Sequence, residues 1–144
     1  MKKKLKSIVL IDDSEPTNFF HKLILSKIQC TEQIISFKNG KEALIYLHNC
    51  SQNGDLLPDL IFLDINMPVM DGWQFLEEFK HFKSNHKIVT IMLSSSLLPQ
   101  DKIRALKYDF VYDFVTKPLE TKRINEILSQ HFPNTVEMYK VRKN

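Results

Sequence analysis

The sequence predicts a doubly wound α/β domain, a five-stranded parallel sheet with helices on both faces. Short apolar runs alternate with longer stretches of helical period five times along the 144 residues, the pattern that successive βα units produce. The central run, DLIFLD at 59–64, is nearly all hydrophobic, as a strand covered on both faces is. It ends in a carboxylate, Asp64, just where open α/β sheets gather their chemistry, beyond the carboxyl ends of the strands.

Each element has its own signal. SIVLID (7–12) reads as the first strand. The first helix, 15–29, follows Ser14 as cap and sets Phe20, Leu23, Ile24 and Ile28 on one side. QIISF (33–37) is the second strand. The second helix, 40–49, opens at Asn39 with Glu42 three residues on, an arrangement resembling a capping box, and turns Ala43, Leu44 and Leu47 to the core. NCSQNGDLLP (49–58) is the one long polar connection, and it precedes the third strand. The third helix, 72–83, opens at Asp71 and carries Phe75, Leu76, Phe79 and Phe82. KIVTIMLS (87–94) is the fourth strand, and the fourth helix, 99–108, is short and poor in apolar residues. FVYDFVTK (110–117) is the fifth strand, and the fifth helix, 120–132, stacks Ile124, Ile127, Leu128 and Phe132.

Bulk properties narrow the class. The length suits one domain with a single core and leaves no room for a second catalytic or DNA-binding domain. With 43% hydrophobic and 26% charged residues and only three glycines, the composition is globular. The net charge of +3 comes from the ends. Lys2, Lys3, Lys4 and Lys6 contribute +4, and Glu137, Lys140, Arg142 and Lys143 contribute +2, so residues 7–136 carry about −3. Basic ends without an aromatic-laced basic stripe argue against nucleic acid. No run approaches the roughly 20 apolar residues that span a bilayer, and IVLI after MKKKLK is too short for a secretory signal. Cys30 and Cys50 are too few for a zinc site or a disulfide framework, and the five histidines show no metal-ligand spacing, which leaves a reduced, cytoplasmic setting as the expectation.

If the strands are parallel, Asp12 and Asp13 at the end of the first, Asp64 at the end of the third, Ser94 to Ser96 at the end of the fourth, and Lys117 with Pro118 at the end of the fifth converge on one sheet edge. Three carboxylates together must hold a proton or a cation. Hard oxygen donors without thiolate or imidazole point to Mg²⁺. A lysine, a hydroxyl and a divalent cation around one aspartate suit the stabilisation of a phosphoryl group. Taken singly, the same residues have plainer readings: Asp12 and Asp13 as a turn and helix cap, Lys117 as a solvated strand end, Ser95 and Ser96 as loop, Phe114 as edge-strand packing.

On these motifs, IDD at 11–13, LDINMPVMDG at 63–72, MLSSS at 92–96 and FVTKPL at 114–119, the chain resembles the receiver domain of two-component response regulators over about residues 6–132, with basic residues 1–5 and residues 133–144 as tails. The resemblance implies a flavodoxin-like (β/α)5 fold with strand order 2-1-3-4-5. It implies Asp64 as phosphoacceptor, an aspartyl nucleophile. Mg²⁺ would be held by Asp13, Asp64 and the main-chain carbonyl of Asn66, and by Asp12 mainly through a water. Ser94 and Lys117 would contact the phosphoryl group, Ser94 and Phe114 would form the switch, and the Lys117–Pro118 peptide would be cis. In the loop after the third strand, Pro68 would stiffen the turn, Asp71 cap the third helix and Gly72 start it.

The implied activity is that of a stand-alone regulator, not an enzyme beyond its own phosphorylation and dephosphorylation. Its phosphodonor would be a sensor histidine kinase or a histidine phosphotransfer protein. It would signal to a protein target through the fourth helix, fifth strand and fifth helix, where Lys102, Arg104, Lys107, Lys122 and Arg123 would offer a mixed basic and apolar face, and dimerisation on phosphorylation stays open. An aspartyl-nucleophile phosphatase is the competing class, but it needs a general acid two residues after the nucleophile, and Asn66 is an amide. A degenerate receiver that only binds is the third reading. One departure stands out: Phe110 and Val111 occupy positions where many receivers carry Gly-Ala.

Overall fold

The computed structural model describes residues 4–96 and 98–133; Lys2, Lys3 and the terminal segment from 134 lie outside them. The chain alternates β1 (Leu5–Ile11), α1 (Glu15–Ile28), β2 (Thr31–Phe37), α2 (Gly40–Asn53), β3 (Leu60–Asp64), α3 (Gly72–Phe79), β4 (Val89–Ser94), α4 (Pro99–Ala105), β5 (Val111–Thr116) and α5 (Thr121–His131). All strand pairs are parallel and the sheet order is β2-β1-β3-β4-β5, as the sequence reading has it. The order reverses at β1, so a crevice opens between the carboxyl ends of β1 and β3.

Alternation along the strands divides the core in two. Ile8, Leu10, Leu60, Phe62, Ile91 and Leu93 face α1 and α5 with Leu25, Ile124 and Leu128. Val9, Ile11, Ile61, Leu63 and Met92 face the other way, with Ala43, Leu47, Phe75, Leu76 and Phe79 of α2 and α3. β3 and β4 are buried at every residue, which is why they read as unbroken apolar runs. Each such Leu, Ile or Phe stabilises the fold by about 1.5–3 kcal/mol relative to exposure, before the entropy of ordering it is counted.

Helix ends follow their caps. Ser14 Oγ accepts from the Thr17 amide at 3.3 Å. Asp71 and Gln74 form a reciprocal capping box, Gln74 N to Asp71 Oδ1 at 2.8 Å and Asp71 N to Gln74 Oε1 at 2.9 Å. Asn39 Oδ1 accepts from the Glu42 amide at 2.9 Å, but Glu42 answers the Asn39 side-chain amide rather than its backbone, so the box there is half made.

Several limits differ from the sequence pattern. α2 runs on to Asn53 instead of stopping at 49, because its polar last turn is closed by Gly54 in the left-handed region, φ 73°. α3 ends at Phe79 rather than 83, with Phe82 packed beyond it in the same cluster. The inner face of α1 is also different: Asn18, His21, Leu25 and Ile28 are buried, whereas Phe20 and Leu23 are each 46% exposed. Where Gly-Ala is common in the family, Phe110 packs edge-on against Phe79, ring centres 5.1 Å apart at 87°. The ladder slips beside it, Thr90 pairing Val111 and Ile91 pairing Asp113, a bulge at Tyr112.

Candidate functional site

Four strand-end residues meet at the crevice. Asp12 follows β1, Asp64 is the last residue of β3, and each is at most 4% exposed, whereas Asp13 faces solvent. One oxygen from each of the three carboxylates lies within 4.8 Å of the others. Lys117, arriving from β5, places Nζ 3.0 Å from Asp12 Oδ2 and 3.1 Å from Asp64 Oδ1. The other Asp12 oxygen accepts from the Ser14 amide at 2.9 Å, which fixes that carboxylate at the start of α1.

Electrostatics follow from this crowding. Burial, then the Asp12 charge, push the Asp64 carboxyl above the usual carboxylate range, and Lys117 only partly opposes them. For Lys117, burial acts to lower the ammonium's pKa, but its bonds to Asp12 and Asp64 prevail and hold it above its ordinary value. One ammonium cannot neutralise three carboxylates. The residual charge and the all-oxygen donor set fit a hard divalent cation, and Asp12, Asp13 and Asp64 are the side chains that would hold it.

The remaining strand-end residues are close by in the fold but differently engaged. Ser94 ends β4, and its hydroxyl is turned into its own loop, donating to Ser96 O at 2.6 Å and accepting from Ser96 N at 3.2 Å. The Lys117 amide bonds Ser94 O at 2.7 Å, and the Lys117–Pro118 peptide is cis. Asn66 is exposed in the loop after β3. Phe114 is 2% exposed, its ring in the same cluster as Met92 and Ala105. Two of the five basic residues in or beside α4 and α5 have partners within the fold. Arg104 stacks on Trp73 of α3, 4.0 Å from the ring centre, and Arg123 is paired with Asp113 and Glu126. Lys102, Lys107 and Lys122 are exposed.

The sequence undervalues one glycine. Gly72 does more than start α3: a Cβ there would lie 2.7 Å from Asp64 O and 2.9 Å from Ile65 Cα, both backbone atoms. Its amide also bonds Ile65 O at 2.7 Å. The tight return of the loop explains the glycine, and it is drawn tight by Val69 at φ 69°, a strained conformation for a β-branched residue. Gly72→Ala must therefore shift the backbone that carries Asp64. The expected result is a loss of about 2 kcal/mol in urea denaturation; an unchanged stability would show that the loop absorbs the methyl group.

Three acids and a lysine at the switch point of a doubly wound α/β domain are groups that suit the stabilisation of a phosphoryl group. The family model described as the response regulator receiver domain matches residues 8–129, and the chain belongs to that family, whose members act in two-component phosphorelays. A two-component response regulator from Cytophaga hutchinsonii superposes with a TM-score of 0.83 at 32% identity, covering 91% of this chain and 99% of that one. The CheX–CheY–BeF3–Mg complex from Borrelia burgdorferi matches at 0.73 and 27%, covering 87% and 88%. Among curated relatives, the probable methanogenesis regulatory protein FilR2 of Methanothrix harundinacea is 27% identical over 87% of this chain and 82% of its own length. The sensor histidine kinase CheAY of Helicobacter pylori is also 27% identical, and this chain spans only 14% of it. A rice response regulator, ORR1, is spanned to 56%. Among the described residues no helix is long and apolar enough to cross a membrane.

Proposed function

We propose that this receiver domain accepts a phosphoryl group on Asp64 from a phosphohistidine, in a sensor histidine kinase or a histidine phosphotransfer protein, with Mg²⁺ bound. The observation that carries the reading is the buried Asp64 carboxylate held between Lys117 at 3.1 Å and the two acids that end β1. An Asp64 oxygen attacks phosphorus and forms an acyl phosphate. The P–N bond breaks, and its electron pair returns to the imidazole nitrogen. Lys117 is placed to exchange its Asp12 contact for a phosphoryl oxygen, so its charge is used twice. Asp13, Asp64 and the Asn66 carbonyl would hold Mg²⁺, with Asp12 acting mainly through a water, and the cation would supply the positive charge that an anionic phosphoryl group needs beside three carboxylates. The Asn66 side chain, an amide, offers no general acid for a phosphatase. With acetyl phosphate as donor, uptake read by intact mass should require Mg²⁺, and Asp13→Asn should weaken the metal more than Asp12→Asn; equal uptake in excess chelator would overturn the reading.

The signal leaves through Ser94 and Phe114 in this proposal. Phosphoryl oxygens draw the Ser94 hydroxyl away from Ser96 by a charge-assisted bond, and the space it vacates admits the Phe114 ring from its present packing. The face affected is α4, β5 and α5, with exposed Lys102, Lys107 and Lys122 available to a protein target or a second copy. Beryllofluoride with Mg²⁺ should perturb amide NMR signals across residues 94–120, and Ser94→Ala should shrink that spread while the mimic still binds. Changes limited to the surroundings of Asp64 would rule this face out.

A further inference from the structure

We propose that Asn18 and His21, buried on the inner face of α1, are positioning residues for the phosphoryl chemistry, the first setting the acid pair and the second setting Lys117. The inference rests on the reading of Asp64 as phosphoacceptor. Residues three apart on a helix share a face, and here the pair interrupts an otherwise apolar stripe completed by Leu25 and Ile28. Asn18 is 6% exposed and His21 1%. Burying such groups is unfavourable unless they are bonded, so what they bond is informative.

Each grips the backbone of a different strand-end loop. Asn18 Nδ2 donates to the carbonyl of Asp12 at 2.9 Å, directly before Asp13. His21 Nε2 accepts from the amide of Leu119 at 3.2 Å, two residues past Lys117. An imidazole accepting at Nε2 carries its proton on Nδ1 and is neutral. Asn18 is also imperfectly satisfied, its Oδ1 buried without a partner among the described residues. A leucine would leave no such orphan, so packing does not explain the amide; its bond to Asp12 does.

Topology gives the clamp its purpose. β1 and β5 are separated in the sheet by β3 and β4, so no ladder hydrogen bond sets the end of one strand against the end of the other. The chemistry nevertheless needs Asp12 and Asp13 from the first and Lys117 from the fifth within bonding reach of Asp64. A single rigid helix that holds both loops fixes that distance. It also gives separable effects, because the Asp12 loop carries metal ligands and the Leu119 loop carries the lysine.

The test compares Asn18→Leu, His21→Leu and His21→Gln in the full chain, with Mg²⁺ affinity read by calorimetry and uptake from acetyl phosphate read at saturating Mg²⁺. Asn18→Leu should weaken Mg²⁺ binding about tenfold, as loss of a group that orients metal ligands does, with uptake largely restored at saturation. His21→Leu should change Mg²⁺ affinity less than twofold yet slow uptake about tenfold through a misplaced lysine. His21→Gln, whose Oε1 can take the Leu119 amide, should recover the rate. If the leucine variants do not fold, the shorter Asn18→Ser and His21→Asn, which fall short of the two loops, are read in the same way. A parent that labels normally with variants altered only in thermal stability would overturn the clamp alone; a parent that takes up no phosphoryl group would overturn the phosphoacceptor reading beneath it.

Discussion

Asp64→Asn should abolish phosphoryl uptake while the fold persists. The substitution keeps the shape of a residue that is 4% exposed at the end of a fully buried strand, so β3 and its neighbours are undisturbed. It removes the carboxylate that ends the central strand against Lys117 and beside the acids that follow β1. An amide oxygen is a far weaker nucleophile than a carboxylate, and the amide cannot form a stable acyl phosphate. Stability should hold or rise slightly, because the charge on Asp64 is opposed by burial and by Asp12, the two causes that push its carboxyl upward. Intact mass after incubation with acetyl phosphate and Mg²⁺ should show one added phosphoryl group on the parent and none on the variant, with matching amide spectra outside the site. Labelling of the variant at the parent's rate would move the acceptor to another residue.

Lys117→Met should have the second largest effect, on stability as well as activity. The ammonium sits between two carboxylates that are each at most 5% exposed at the side chain. Removing it leaves two buried like charges facing one another, a change that costs about 3 kcal/mol at neutral pH without a divalent cation. The pH dependence has a definite sign. Asp64 in the fold already lies above its ordinary value, and losing Lys117 raises it further. A carboxyl whose folded pKa is raised favours the fold most at low pH, where it is protonated, and that contribution is lost as pH rises through the folded value. The variant's deficit should therefore be small in acid, grow as pH rises through the elevated Asp64 value, and shrink again when millimolar Mg²⁺ is added at neutral pH. Urea melts across pH, with and without Mg²⁺, test all three. A deficit independent of both pH and metal would mean that Lys117 acts through packing, and uptake should fall sharply in either case if the lysine contacts the phosphoryl group.

How much of this was legible beforehand differs by residue. Asp64 was, because an acid ending a run of buried apolar residues breaks the strand's own pattern. Asp12, Asp13 and Lys117 were candidates for the same reason, once parallel strands are assumed to bring their ends to one edge. The limits of α2 were not, since its last turn is polar and its stop is a conformation, the left-handed Gly54, that the preceding composition does not announce. Phe20 and Leu23 misled, because hydrophobic period reports which residues are apolar and not which face the core needs. The partners of Arg104 and Arg123 were not legible for a related reason: they find Trp73, Asp113 and Glu126 only after folding.

By itself, then, the chain determined its layers and the kinds of group that gather at one edge, because these follow from local period and from the parallel connection of successive βα units, whereas the strand order was implied by the resemblance to receiver domains. Tertiary structure alone decided which polar side chains turn inward and what they hold. Asn18 and His21 are buried because the carbonyl of Asp12 and the amide of Leu119, far apart in sequence, both come within reach of α1. Gly72 is a glycine because the carbonyl of Asp64 passes 2.7 Å from where its Cβ would be. Such facts depend on distances between segments that no local pattern encodes, and they are the distances on which the proposed chemistry at Asp64 relies.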